Sequence, residues 1–153
     1  MEFGVPFSSF SVADTEAAGA DLARRMRDDP SLPPFVALFG DLGVGKTAFV
    51  RGFASVLSPA SAVRSPTFAL VREYPAAPRP LFHFDMYRVT DEDELISIGY
   101  DDYLARDGIC LVEWSENIAD FLPPDHLRVR IEKDDPAQPD HRRITVFRMG
   151  GTT

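Results

Sequence analysis

The sequence predicts an α/β domain with a mixed central sheet, parallel in its centre and antiparallel at its edge hairpins, flanked by helices. Three observations predict it. Short apolar runs of strand length alternate with stretches whose apolar residues recur at helical spacing. One such run, Phe35–Phe39, leads straight into Gly40, four residues, and then Gly45-Lys46-Thr47. Another, Ile109–Trp114, is almost continuously apolar, as expected of a strand covered on both faces. At 153 residues the chain is expected to form one domain, residues 1–153, long enough for a sizeable core.

Residues 1–13 read as irregular chain or an edge strand. Asp14-Thr15 offers an N-cap, and Ala18, Leu22 and Met26 mark one face of a helix that ends before Asp28-Asp29-Pro30. After the loop Ser31–Pro34 comes the strand Phe35–Phe39. A helix then starts near Lys46, with Phe49, Val50, Phe53, Val56 and Leu57 on its packing face, and Ser58-Pro59 ends it. Arg64-Ser65-Pro66-Thr67 opens an extended segment, Phe68–Tyr74, which the turn Pro75–Pro78 joins to a strand over Leu81–Tyr87 as an antiparallel hairpin. Thr90–Asp93 is a helix start, with a hydroxyl cap and acids at the positive end of the helix dipole; the helix runs to about Ile98 and Gly99 stops it. Asp101–Ala105 adds a short helical piece. Beyond the strand Ile109–Trp114, Asn117–Leu122 is helical or turn-like, and Leu127–Ile131 and Ile144–Met149 form a terminal hairpin around Asp134–Asp140.

The glycine-rich turn is where the chemistry starts. G-x(4)-G-K-T is the spacing of a phosphate-binding P-loop: glycines let consecutive backbone N–H groups face phosphate oxygens, and the following helix contributes its positive end. Lys46 is then expected to reach the β- and γ-phosphates and Thr47 to hold Mg²⁺. Of sixteen basic residues only two are lysines, Lys46 and Lys133, so a chain that otherwise uses arginine has a compact ammonium at this position.

Composition excludes several alternatives. The net charge of −8 and the scarcity of basic clusters argue against direct nucleic-acid binding, because Asp28-Asp29 follow Arg24, Arg25 and Arg27. A role in a nucleic-acid process would therefore pass through a protein partner. No apolar run approaches a membrane span, the start MEFGVPFSSF lacks a basic leader, and the one cysteine, Cys110, fits a reducing compartment; a cytoplasmic protein is expected. Cys110 itself reads as a small core filler.

Two acids close apolar strands: Asp85 after Leu81–Phe84 and Glu113 after Ile109–Val112. At the carboxyl edge of a sheet both would stand beside the phosphates. A solvated strand-end acid is the plain alternative for either. Thr67, in an extended loop, reads as a γ-phosphate or metal contact or as an ordinary turn hydroxyl. His83 is expected on the sheet face opposite Phe84 as a packed or hydrogen-bonded structural histidine, and Asp91–Glu94 as a solvated helix start.

GDLGVGKTAFVRG, SPTFALVREY, HFDMYRV, DELISIGYDDY and CLVEW, in that order and spacing, resemble the small bacterial ATPase family of tRNA threonylcarbamoyladenosine biosynthesis (TsaE, also called YjeE), from about Thr15 to Arg143. The P-loop is generic; HFDMYR and LVEW together with SPTF are specific. The resemblance implies ATP and Mg²⁺ as cofactors and a partner complex, with subunits of TsaB and TsaD type, that transfers threonylcarbamoyl to tRNA adenosine. It implies that Leu42, Gly43, Val44, Gly45, Lys46 and Thr47 cradle the phosphates, that Thr47 and Glu113 hold Mg²⁺, and that Asp85 is needed for hydrolysis. In that family the segment corresponding to Val12–Thr15 also approaches the nucleotide. Phe68 and Met86 are mild variations, and neither the 75–80 turn nor the terminal hairpin has a motif to match.

A small-molecule P-loop kinase is the main rival, but the segments able to act as a lid, Ala60–Arg64 and Asp134–Asp140, carry no arginine cluster for an anionic second substrate. A GTPase would need an Asn-Lys-x-Asp element, which is missing. A nucleotide-sensing subunit without turnover is a third reading, against which Asp85 and Glu113 together argue.

Overall fold

The computed structural model describes residues 2–41, 43–64, 66 and 70–150. Seven strands form one sheet in the order β1-β7-β6-β2-β5-β4-β3: β1 (Phe7–Ser9), β2 (Phe35–Phe39), β3 (Val71–Tyr74), β4 (Leu81–Asp85), β5 (Ile109–Glu113), β6 (His126–Lys133) and β7 (Arg142–Met149). Strands β6, β2, β5 and β4 run parallel, while β1 on β7, β7 on β6 and β3 on β4 are antiparallel. The predicted mixed sheet with antiparallel edges is the observed one.

Side-chain alternation divides the core between the two faces of the sheet. Val36, Leu38, Leu111, Leu127 and Val129 point to the face covered by α1 (Val12–Asp28) and α2 (Lys46–Leu57), where Leu22, Phe49 and Phe53 are buried. Phe35, Ala37, Phe82, Phe84, Cys110 and Val112 point to the other face. That face is covered by Leu95 of α3 (Glu92–Ser97), Tyr100 of α4 (Tyr100–Ala105) and Ile118 of a kinked 3-10 segment, Ser115–Phe121. β2, β4 and β5 lie between the two layers, which is why their sequences are mostly apolar on both alternating faces.

Several boundaries differ from the sequence reading, each for a local reason. The first helix begins three residues early: Ser11 is the N-cap, its hydroxyl accepts from Asp14 N (3.1 Å), and Asp14 Oδ2 accepts from Phe10 N (2.9 Å). Asp14 is thus the acidic partner in a reciprocal cap and not the cap itself, an arrangement worth about 1 kcal/mol. Likewise Asp91, not Thr90, caps α3 through Glu94 N (3.0 Å), and Thr90 donates to the Glu94 carboxylate. The strand expected over Leu81–Tyr87 ends at Asp85, whose Oδ1 accepts from Tyr87 N and turns the chain. The terminal hairpin is longer than expected, because β6 and β7 pair from His126↔Met149 to Lys133↔Arg142. In the Phe68–Tyr74 segment β3 occupies Val71–Tyr74; Phe68 and Ala69 lie outside the described residues. Among the described residues, no helix is long and apolar enough to cross a membrane.

Candidate active site

The site is built where β2 gives way to α2. Gly40 and Gly45 adopt φ of +152° and +111°, backbone that favours glycine, and at Gly40 there is also no room for a side chain. A Cβ on Gly40 would fall 2.6 Å from Ile131 O, so only glycine lets the loop leave the sheet there. The turn delivers the chain into α2 with Lys46 and Thr47 in its first turn, where backbone N–H groups lack partners within the helix and the dipole is positive.

Lys46 is buried, yet its ammonium is provided for: Nζ donates to Gly40 O and sits 3.4 Å from the centroid of the Trp114 ring, a cation–π contact. Burial pushes its pKa below the ordinary lysine value, and the carboxylates of Glu116, Glu113, Asp85 and Asp41 oppose that shift. Trp114 holds this position with φ of +58°, an unusual conformation for a residue with a Cβ, directly after Glu113.

Parallel pairing sets Asp85 at the end of β4 beside Glu113 at the end of β5. Both are buried. The Glu113 carboxylate is held at both oxygens: Oε1 accepts from Thr47 Oγ1 (2.9 Å), and Oε2 lies 2.5 Å from His83 Nε2. Val12, Gly43, Gly45, Lys46, Thr47, Asp85 and Glu113 therefore line a single open cleft of about 460 Å³. Val12 stands over it with 60% of its surface exposed, as the first residue of α1 and not in a segment before that helix. Val44 lines the two neighbouring hollows; its side chain packs in the core, and its carbonyl accepts from Arg142 Nε (2.9 Å). Leu42 and Thr67 lie outside the described residues.

Residues not singled out from the sequence also take part. Arg51 lines the cleft and reaches Glu16 at 3.5 Å. It is four residues beyond Thr47, so helical spacing alone places it on the same side of α2. Glu116 Oε2 accepts from Gly40 N (3.1 Å), tying the 3-10 segment to the start of the loop. Arg142 ties the terminal hairpin to the loop, and Phe10 stacks on His141 nearby at 4.8 Å. No local pattern marks Arg142, because its partner is a backbone carbonyl 98 residues earlier.

A divalent cation fits the donors present. Thr47 and Glu113 offer hard oxygen atoms, as Asp85 does beside them, and such ligands suit Mg²⁺. Among the described residues, no group of three or more His, Cys, Asp or Glu is arranged to hold a metal.

Comparison with known proteins gives a consistent result. A family described as "Threonylcarbamoyl adenosine biosynthesis protein TsaE" matches residues 9–144. The tRNA threonylcarbamoyladenosine biosynthesis protein TsaE of Bacillus subtilis is 43% identical over 115 residues, 75% of this chain and 70% of that protein. Its counterpart from Streptomyces coelicolor is 36% identical over 134 residues, 85% of this chain and 90% of that one. The crystal structure of Bacillus subtilis YdiB superposes with a TM-score of 0.72 at 29% identity, covering 96% of this chain and 86% of its own. A match that runs from β1 into β7, through the loop and both strand-end acids, shows that this chain belongs to the TsaE family of threonylcarbamoyl adenosine biosynthesis proteins.

Proposed function

We propose that the chain is a Mg²⁺-dependent ATPase whose hydrolysis supports threonylcarbamoyl transfer to tRNA adenosine, working through protein subunits of TsaB and TsaD type. One observation carries the reading: Lys46, Thr47, Asp85 and Glu113, from three separate elements, line one cleft at the N-terminus of α2. On entry of the nucleotide, the N–H groups of Leu42–Thr47 take the phosphate oxygens, and Lys46 exchanges Gly40 O and the Trp114 ring for the β/γ-phosphates. Thr47 and Glu113 would hold Mg²⁺, which would supply positive charge against the phosphates. Asp41, Asp85, Glu113 and Glu116 act electrostatically on the ammonium of Lys46, so a bound cation would offset carboxylate charge as well as phosphate charge here. Asp85, at the end of β4 where its Oδ1 accepts from Tyr87 N, orients the attacking water by accepting a hydrogen bond from it.

The charge of −8 supports action through protein contacts and not on tRNA itself. The loop between β6 and β7 carries Asp134, Asp135 and Asp140, a poor lid for a kinase with an anionic second substrate. The test is phosphate release with ATP and with GTP, alone and with the threonylcarbamoyl-transfer subunits. Slow ATP hydrolysis that the subunits stimulate is expected. No Mg²⁺-dependent hydrolysis under any of these conditions refutes the proposal.

A further inference from the structure

We propose that His83 is a positioning residue for the metal-side carboxylate: its imidazole fixes Glu113 so that the carboxylate stays aimed at the seat of the divalent cation. This rests on the reading of Glu113 given above. β4 alternates, so Leu81, His83 and Asp85 share the face toward α2 while Phe82 and Phe84 enter the opposite core. Across the parallel pair His83 lies level with Leu111 and Asp85 with Glu113. Glu113 therefore reaches back along its strand to place Oε2 2.5 Å from His83 Nε2.

An ionised carboxylate only accepts, so Nε2 carries the proton and donates. The consequence is visible at the other end of the ring: His83 is fully buried, and Nδ1 has no hydrogen-bond partner among the described residues. A leucine or phenylalanine would fill this apolar position without an orphaned nitrogen, so packing alone gives no reason for an imidazole here. The bond to Glu113 does. Thr47 Oγ1 is the carboxylate's other partner, and on the reading above that hydroxyl would itself be a ligand to the cation. His83 is then the fixed contact that keeps a side chain with three rotatable bonds in one rotamer. Groups that orient a metal ligand in this way change metal affinity by about 10- to 100-fold when removed.

The experiment compares His83→Leu, His83→Gln and Glu113→Gln in the full chain. ADP affinity is measured by calorimetry in EDTA, and Mn²⁺ affinity of the ADP complex by the electron paramagnetic resonance of free Mn²⁺. His83→Leu is expected to weaken Mn²⁺ binding by about ten-fold or more while ADP affinity in EDTA changes by less than about two-fold. His83→Gln, which keeps an N–H donor near the Nε2 position, recovers most of the loss. Normal Mn²⁺ affinity in His83→Leu overturns the proposal, as does equal loss in His83→Leu and His83→Gln. Should His83→Leu not fold, His83→Asn, whose amide stops short of Glu113, takes its place, and normal Mn²⁺ affinity there overturns the proposal equally. Glu113→Gln separates the two levels: if it leaves Mn²⁺ affinity unchanged, the metal reading itself fails; if it weakens Mn²⁺ binding and the His83 variants do not, the positioning role alone fails.

Discussion

Helices α1 and α2 meet at two glycines, and this contact gives a prediction whose size can be worked from the geometry. A Cβ built on Gly52 falls 1.8 Å from Glu16 O, and one on Gly19 falls 2.0 Å from Phe49 O. Both neighbours are backbone atoms, so no rotamer change relieves the clash. Ordinary contact begins at 3.4 Å, so Gly52→Ala requires the helices to part by roughly 1.6 Å. That opens the seam in which Ala18, Leu22, Phe49 and Phe53 are buried. Even a radial gap of about 0.5–1 Å forfeits a quarter to a half of the dispersion energy across it. Helix propensity acts the other way, since alanine is better than glycine by about 1 kcal/mol inside a helix. Overpacking costs about 1–3 kcal/mol where side chains yield, and more where backbone must move. The net expectation is a loss of about 2–3 kcal/mol, or a Tm lower by about 4–12 °C for a chain of this length. Circular dichroism melting and a urea midpoint at unchanged slope measure it. A Tm equal to or above that of the wild type would refute the backbone contact, because propensity alone raises it.

Lys46→Ala is expected to abolish ATP binding or turnover with the fold intact; calorimetry checks affinity, and in the wild type the lone Trp114 should report Lys46 leaving its ring by a change in emission. Asp85→Asn should lower turnover with little loss of ATP affinity, whereas Glu113→Gln should raise the Mg²⁺ concentration required; equal loss of nucleotide affinity in both refutes the division. Charge reversal at the exposed Glu92 and Asp93, which leaves the Asp91 cap in place, should reduce stimulation by the transfer subunits and leave basal hydrolysis unchanged, as steady-state and single-turnover assays would show. Burial pushes the Cys110 thiol up to about 12 from an ordinary 9.0, so a thiol reagent at pH 8 should leave the native chain untouched and modify one equivalent in urea. In the unfolded chain the thiol ionises near 9.0 while the native one stays neutral; this contribution to stability is therefore present below about pH 9 and declines as pH rises from there toward 12.

Asp85 and Glu113 were legible because each closes an apolar strand, and His83 because alternation puts it on the Asp85 side of β4. What alternation could not reveal is that His83 touches Glu113. That depends on the one register in which β4 and β5 pair, and on a glutamate long enough to reach back along its strand. The caps were misread by one to three residues for a similar reason. Ser11 and Asp14, or Thr90, Asp91 and Glu94, are all capable caps, and only the path of the preceding chain selects among them.

The sequence by itself determined the alternation of strands and helices, the parallel centre of the sheet, the glycine-rich loop and its lysine, and the two strand-end carboxylates. These are set by local periodicity and by residue types whose backbone or charge requirements are local. The tertiary structure alone decided that Lys46 rests on Trp114 and Gly40 O, that Arg142 braces the loop from the far hairpin, and that Glu113 is pinned between Thr47 and His83. Apart from the Lys46–Gly40 bond inside the loop, these join groups distant in the chain through contacts a few ångströms long. Strand order and register set such distances, and no local sequence pattern encodes them.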